Sequence, residues 1–224
     1  MTTDFERARF NMIEQQVRPW QVLDAKVLDI MGGMPRERFV PDAYQGLAYA
    51  DIEIPIGALP SQRMLAPKIV GRLLQALRLE STDRVYEIGT GTGYVTACLA
   101  QLGEAVHSVD IDPDLADQAR ERLIAEGTVG RIEIRALDAF AADSEAAPFA
   151  AIAVTGSLPT EEPLNRLREQ LLAGGRLFAF VGEAPVMEAV LITRVGRGGY
   201  RRESLFETCV PPLENAPRVD AFVF

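Results

Sequence analysis

Arg84-Val85-Tyr86-Glu87-Ile88-Gly89-Thr90-Gly91-Thr92-Gly93-Tyr94 decides how this chain folds. A short apolar run, Val85 to Ile88, ends on alternating glycines, and an apolar helical stretch through Val95 to Leu102 starts straight after them. A buried strand that turns tightly into a helix is the opening of a β-α-β unit. Downstream, Ala105 to Val109 reads as the second strand and Pro113 to Glu126 as the helix behind it. Arg131 to Ala136 is a third strand and Phe149 to Thr155 a fourth; Leu164 to Leu172 is a helix and Gly175 to Val181 a fifth strand. Ala189 to Val195 and Leu205 to Val210 are the late strands, and Val219 to Phe224 adds an edge. Strands alternating with helices of this length predict an α/β fold. It is a doubly wound, mostly parallel seven-stranded sheet with helices on both faces.

Upstream the pattern changes. Phe10, Ile13, Val17, Val22, Val27, Leu28 and Ile30 have helical spacing, interrupted by Pro19. Prolines at 35, 41, 55, 60 and 67 mark an irregular stretch, and Pro67 leads into Ile69, Val70, Leu73, Leu74 and Leu77, the entry helix of the main domain. The division predicted is an N-terminal helical and loop-rich extension over residues 1–67, lying on the core as a lid, and a ligand-binding domain over 68–224.

The 224 residues are 48% apolar and 25% charged, enough for a full core in a globular chain. No apolar run is long enough to span a bilayer, and the charged N-terminus from Met1 to Arg18 does not read as a signal peptide. A net charge of −9 argues against a nucleic-acid partner, which needs a basic face. The paired arginines (Arg36 and Arg38, Arg120 and Arg122, Arg201 and Arg202) read as solvated surface. Cys98 and Cys209 form no CxxC pair and read as two buried free thiols in a reducing, cytoplasmic compartment. One histidine, His107, leaves no His-based metal site or triad; amid Val106 and Val109 it reads as a sheet-face residue, and Trp20 as a packing residue.

The glycine stretch also carries the chemistry. Ligands of a doubly wound sheet settle in the crevice at the carboxyl ends of the strands. A dinucleotide site would place a glycine at position 94, where this chain has Tyr94, and no Gly-Lys-Ser/Thr follows for a P-loop. Glu87, just before the loop, suits a cationic amino-acid ligand better than a pyrophosphate. E-x-G-x-G-x-G resembles motif I of the class I methyltransferases, which bind S-adenosyl-L-methionine. The contacts this implies are Glu87, Gly89, Thr90, Gly91, Gly93 and Tyr94. Asp110 and Ile111 end the second strand, where an acid meets ribose hydroxyls. Asp138 and Ala139 follow the third, where an acid meets the adenine amino group. Asp112 reads equally as a helix cap or a ligand contact, and Asp138 taken alone equally as a turn residue.

A wider likeness lies around that core. Pro35-Arg36-Glu37-Arg38-Phe39-Val40-Pro41, Ala48-Tyr49-Ala50-Asp51, Ile54-Pro55-Ile56-Gly57, the glycine stretch itself, Pro148-Phe149, Val154-Thr155 and Gly174-Gly175-Arg176-Leu177 resemble the protein-L-isoaspartate O-methyltransferase family. The likeness runs from about Met12 to Val181, and Cys209 to Glu214 matches the family's late strand only loosely. It implies a monomer that methylates the abnormal carboxylate of isoaspartyl residues in damaged proteins. The family's loop after Pro-Ile-Gly ends in Thr-Ile-Ser-Gln-Pro, whose serine belongs to the catalytic site. Here Arg63 stands at the threonine, Leu65 at the serine and Ala66 at the glutamine. Ser61 from a shifted position and Arg63 as a carboxylate fork are the candidate catalytic residues, with a solvated loop arginine as the alternative for Arg63. Three functions stay open: the isoaspartyl enzyme with a rebuilt loop, a methyltransferase for another protein or small-molecule acceptor, and a non-catalytic S-adenosylmethionine-binding paralogue. An open polar crevice with Ser61 or Arg63 in it favours the first; a plug of Met64 and Leu65 favours the others.

Overall fold

The computed structural model describes residues 4–128, 131–196 and 198–217. The edge strand expected over 219–224 lies outside the described residues. Helix α1 (Phe5–Met12) starts at Asp4, whose side chain accepts the Arg7 N–H. It loosens into a π-turn over Ile13–Val17 and a 3-10 turn over Arg18–Trp20, since Pro19 has no N–H to continue the ladder. Helix α2 (Ala25–Gly33) is capped by Asp24, which accepts from the Lys26 and Val27 N–H groups. The proline-rich stretch then forms short 3-10 turns and a two-strand ribbon, β1 (Ile54–Pro55) antiparallel to β2 (Arg63–Met64). Residues 56–62 form the loop between the two ribbon strands. Helix α3 (Pro67–Leu77) buries Ile69, Val70, Leu73, Leu74 and Leu77, the apolar face read from the sequence.

The main sheet follows as β3 (Arg84–Ile88), α4 (Tyr94–Leu102), β4 (Ala105–Asp110), α5 (Pro113–Ala125), β5 (Ile132–Ala136), β6 (Phe149–Leu158), α6 (Glu162–Glu169), β7 (Leu171–Glu183), β8 (Val186–Val195) and β9 (Gly199–Thr208). The strand order is β5-β4-β3-β6-β7-β8-β9. Strands β5, β4, β3, β6 and β7 pair in parallel, whereas β8 and β9 turn back antiparallel. The connections around Ala184-Pro185 and Gly196 are too short for the crossover that a parallel pair needs. Order reverses on either side of β3, so the ligand crevice falls between the carboxyl ends of β3, β4 and β6.

Side chains alternate between two apolar clusters across this sheet. Val85 shares one cluster with α3, α4 and the N-terminal Met12, Val17 and Met31; Tyr86 and Ile88 share the other with Leu164 and Leu177. The N-terminal segment therefore contributes to a continuous core. Trp20 packs edge-on against Phe206 of β9, ring centroids 6.1 Å apart, in line with its reading as a packing residue.

Two sequence expectations need correction. Arg36 is not surface: it is fully buried. Its Nε donates to the Ala48 carbonyl at 2.8 Å and Nη2 to the Leu65 carbonyl at 2.7 Å, while the guanidinium lies 4.8 Å from the Tyr94 ring centroid. These contacts replace part of the water it loses, and Nη1 is left without a hydrogen-bond partner. Cys98 is a buried free thiol as expected, but Cys209, just past the end of β9, is exposed.

Candidate active site

A cleft lies at the carboxyl ends of β3, β4, β5 and β6. One wall is the glycine loop after β3. The Gly89 N–H donates to the Val109 carbonyl at 2.8 Å, and the Gly91 N–H donates to Asp110 Oδ2 at 2.8 Å. The Thr155 hydroxyl, on β6, lies 2.6 Å from the Gly89 carbonyl and 2.9 Å from that of Ile88. The loop is thus held from both neighbouring strands.

Asp110 is 7% exposed, and its Oδ1 accepts the Asp112 N–H at 3.0 Å. Burial pushes its carboxyl above the ordinary aspartate range, against the pull of the two backbone N–H groups. Asp138 accepts the Phe140 N–H with Oδ1 at 2.8 Å and the Asn215 side-chain amide with Oδ2 at 2.6 Å, so it is a turn residue and a cleft residue together. Asp112 caps α5, accepting from the Asp114 and Leu115 N–H groups.

Gly89, Gly91, Asp110, Ile111, Asp138, Ala139, Ser61 and Arg63 all line the cleft. Thr90 borders a smaller recess beside it, with Met64 and Leu65. Gly93 packs beneath α5 against Ala119 and Leu123. Tyr94 borders the recess but is 1% exposed, its ring edge-on to Phe39 at 5.6 Å. Glu87 is not in the cleft lining: alternation along β3 turns it to the α4 side. There Oε2 accepts the Thr96 and Ser108 hydroxyls at 2.5 and 2.6 Å, and Oε1 has no partner. His107 sits away from the cleft, its Nδ1 3.0 Å from Glu133 on β5.

Burial pushes the Glu87 carboxyl up to about 7. A raised folded pKa means that the folded protein holds a proton the unfolded chain has released between about 4.5 and 7. Stability from this group is therefore present below that window and is lost as pH rises through it, by an amount on the order of 3 kcal/mol. Glu87→Gln is expected to flatten that slope, so that the variant gains on wild type from pH 5 to pH 8 in denaturant titrations. Parallel curves for the two proteins would show that Glu87 is ionised throughout.

Ser61 Oγ lies 3.5 Å from Glu214 Oε1. Arg63 is exposed, its Nε donating to the Pro60 carbonyl at 3.2 Å. Leu65 is 4% exposed and belongs to the apolar cluster under the loop. Sequence reading had not assigned Thr155, Gln62 or the segment Pro211–Asn215 to the site. That segment overlaps Cys209 to Glu214, whose likeness to the family's late strand is only loose. Its Leu213 N–H and Pro211 carbonyl pair with Ser157 at 3.0 and 2.9 Å, placing Leu213 and Glu214 along the cleft. The Pro211-Pro212 pair was the available signal: without N–H groups it limits the segment to a short edge contact, here the bridge between Pro212 and Ser157.

The family signature described as protein-L-isoaspartate(D-aspartate) O-methyltransferase matches residues 7–210. The chain belongs to the protein-L-isoaspartate O-methyltransferase family. It is 40% identical over 198 residues to protein-L-isoaspartate O-methyltransferase 2 of Anaeromyxobacter sp. (strain Fw109-5), covering 88% of this chain and 79% of that one. It is 42% identical over 192 residues to protein-L-isoaspartate O-methyltransferase of Methanoculleus marisnigri, covering 85% of each. A Plasmodium falciparum protein described as a family member, solved with S-adenosyl-L-homocysteine, superposes with a TM-score of 0.76 at 19% identity, over 94% of this chain and 98% of that one. A second solved protein-L-isoaspartate O-methyltransferase gives 0.79 at 20% identity, over 93% of this chain; the chain spans 66% of its length. At these identities the two structures speak for the fold alone: the family's mixed, mostly parallel seven-stranded sheet with N-terminal helices. Among the described residues no helix is long and apolar enough to cross a membrane, and no group of three or more His, Cys, Asp or Glu could hold a metal ion.

Proposed function

We propose that this protein methylates the free carboxylate of isoaspartyl residues in proteins, with S-adenosyl-L-methionine as methyl donor and Arg63 as the anchor of the acceptor carboxylate. Family membership and relatives at 40 and 42% identity over most of the chain support the activity. The observation that carries the assignment of Arg63 is electrostatic. Among the described residues it is the one basic side chain lining a cleft that also holds Asp110, Asp138 and Glu214.

The cleft fits the donor. Ile111, Leu115, Leu137 and Phe140 offer apolar faces for a flat base, Asp110 and Asp138 offer acceptors for hydroxyl and amino groups, and the glycine loop admits close backbone approach. The donor supplies, when bound, a methyl group activated by a sulfonium centre. An isoaspartyl carboxylate is already ionised at neutral pH, so the protein needs no strong general base for it. What remains for the chain is to align the acceptor and strip its water. Arg63 can offer a two-pronged fork to a carboxylate, and buried Met64 and Leu65 give the adjoining recess an apolar wall beside Thr90, Thr92 and Thr155. Loss of the family's serine hydroxyl at Leu65 removes a neutral donor, and the cation of Arg63 takes that place. The protein works as a cytoplasmic monomer in this reading, its two thiols unpaired.

The apolar recess wall keeps a second reading in view, an acceptor other than isoaspartate. Methyl transfer from labelled donor to an isoaspartyl peptide, with the matched aspartyl peptide as control, separates the two. Label on the isoaspartyl peptide alone is expected; donor binding with label on neither peptide would leave the second reading. Arg63→Ala should raise the acceptor KM by about tenfold, the worth of a charged hydrogen bond, and leave the Kd for S-adenosyl-L-homocysteine unchanged. An unchanged KM would remove Arg63 from the site.

A further inference from the structure

Gln62 stands between Ser61 and Arg63, yet it is 7% exposed. Its amide is used at both ends. Oε1 accepts the Leu59 N–H at 3.0 Å, and Nε2 donates to Asp112 Oδ2 at 2.7 Å. The backbone closes around it, with the Ile56 N–H donating to the Gln62 carbonyl and the Gln62 N–H to the Leu59 carbonyl, both at 3.0 Å. Gly57 makes room: a Cβ there would stand 2.0 Å from Gln62 Oε1. A polar side chain buried this way, with donor and acceptor both satisfied, has one low-energy placement.

The partner matters as much as the burial. Asp112 spends Oδ1 on the N-terminus of α5, and its N–H donates to Asp110 Oδ1. Asp110 in turn holds the Gly91 N–H with Oδ2. Hydrogen bonds therefore run without a break from the loop leading into Arg63, through Gln62, Asp112 and Asp110, to the glycine loop of the donor cleft. Beyond β2 the segment is fixed separately, by Arg36 Nη2 on the Leu65 carbonyl.

Resting on the reading of this segment as the acceptor loop, we infer that Gln62 is a positioning residue, which sets the acceptor loop against the donor cleft through Asp112. Arg63 is exposed, and the one side-chain hydrogen bond it makes among the described residues, to the Pro60 carbonyl, is local. The place where it presents its guanidinium is inherited from the loop that Gln62 holds. Gln62 touches no reacting atom in this role; its effect passes through Arg63.

The test uses the full chain with Gln62→Ala, Asp112→Ser and the double variant. Serine keeps an oxygen to cap α5 while removing the partner of Gln62. Three readouts are taken: Kd for S-adenosyl-L-homocysteine, kcat and KM for an isoaspartyl peptide, and hydrogen exchange of residues 57–66. Each single variant is expected to raise acceptor KM by about tenfold, with the Kd moved less than about threefold. The double variant should be no worse than either single one, because one interaction cannot be lost twice. Exchange in 57–66 should quicken by about tenfold in all three proteins. Additive losses in the double variant, a Kd shift as large as the KM shift, or unchanged exchange in Gln62→Ala would each overturn the inference. Exchange needs no acceptor. If wild type leaves the isoaspartyl peptide unlabelled, the functional reading falls, while the exchange data still decide whether Gln62 holds the loop.

Discussion

Gly89→Ala is expected to abolish donor binding, raising the Kd for S-adenosyl-L-homocysteine by at least about 100-fold, and to lower the melting temperature. Gly89 sits at φ +93°, a conformation that costs a residue with a Cβ about 1–3 kcal/mol. The new methyl would also stand 2.4 Å from Thr155 Oγ1 and 3.1 Å from the Leu213 side chain. Thr155 cannot simply rotate away, since its hydroxyl holds the Ile88 and Gly89 carbonyls. The loop must move, and with it the Gly91 N–H that Asp110 holds. Adding Thr155→Ala should return part of the stability by relieving the overlap, though not the backbone strain. Titration calorimetry and thermal unfolding read the two effects separately. A Kd within threefold of wild type would place the donor elsewhere.

Asp110→Ala should cost a comparable amount of donor affinity, about 100-fold, for a different reason. This carboxylate ends β4 with both oxygens accepting backbone N–H groups, and each hydrogen bond to a charged group contributes about 1.5–3 kcal/mol. Removing it frees the glycine loop and deletes an acceptor for the donor's hydroxyls. The pH dependence gives a second check. Burial raises the Asp110 pKa, so the carboxylate is lost at a higher pH than an exposed aspartate would be. Wild-type donor affinity should therefore weaken as pH falls, beginning above the ordinary aspartate range, and Asp110→Asn should remove that part of the slope. Full affinity in Asp110→Ala at neutral pH would mean that the acid only shapes the loop.

Several elements of the site were legible because the signals are local. A strand such as Val85 to Ile88 is announced by its own apolar run, the turn after it by its own glycines, and the acids Asp110 and Asp138 by their places at the ends of the next two parallel strands. Parallel β-α-β geometry brings successive strand ends to one side, so naming the strands was enough to bring those acids together. Helix α3 and the cap at Asp112 belong to the same class, each written within a few residues.

Other features depend on partners far along the chain. Arg36 looks like any surface arginine until the carbonyls of Ala48 and Leu65, 12 and 29 residues away, close around it. Gln62 finds Asp112 across 50 residues, and Asn215 finds Asp138 across 77. Glu87 was read as a ligand contact from its position before the glycines, and its side chain instead meets Thr96 and Ser108 behind the loop. The sequence by itself determined the sheet, the glycine loop and the acids at the strand ends, because hydrophobic period and turn chemistry act over a few residues. Only the tertiary structure decided which polar side chains are buried and what holds the acceptor loop, because a buried polar group is stable only once its distant partner has arrived.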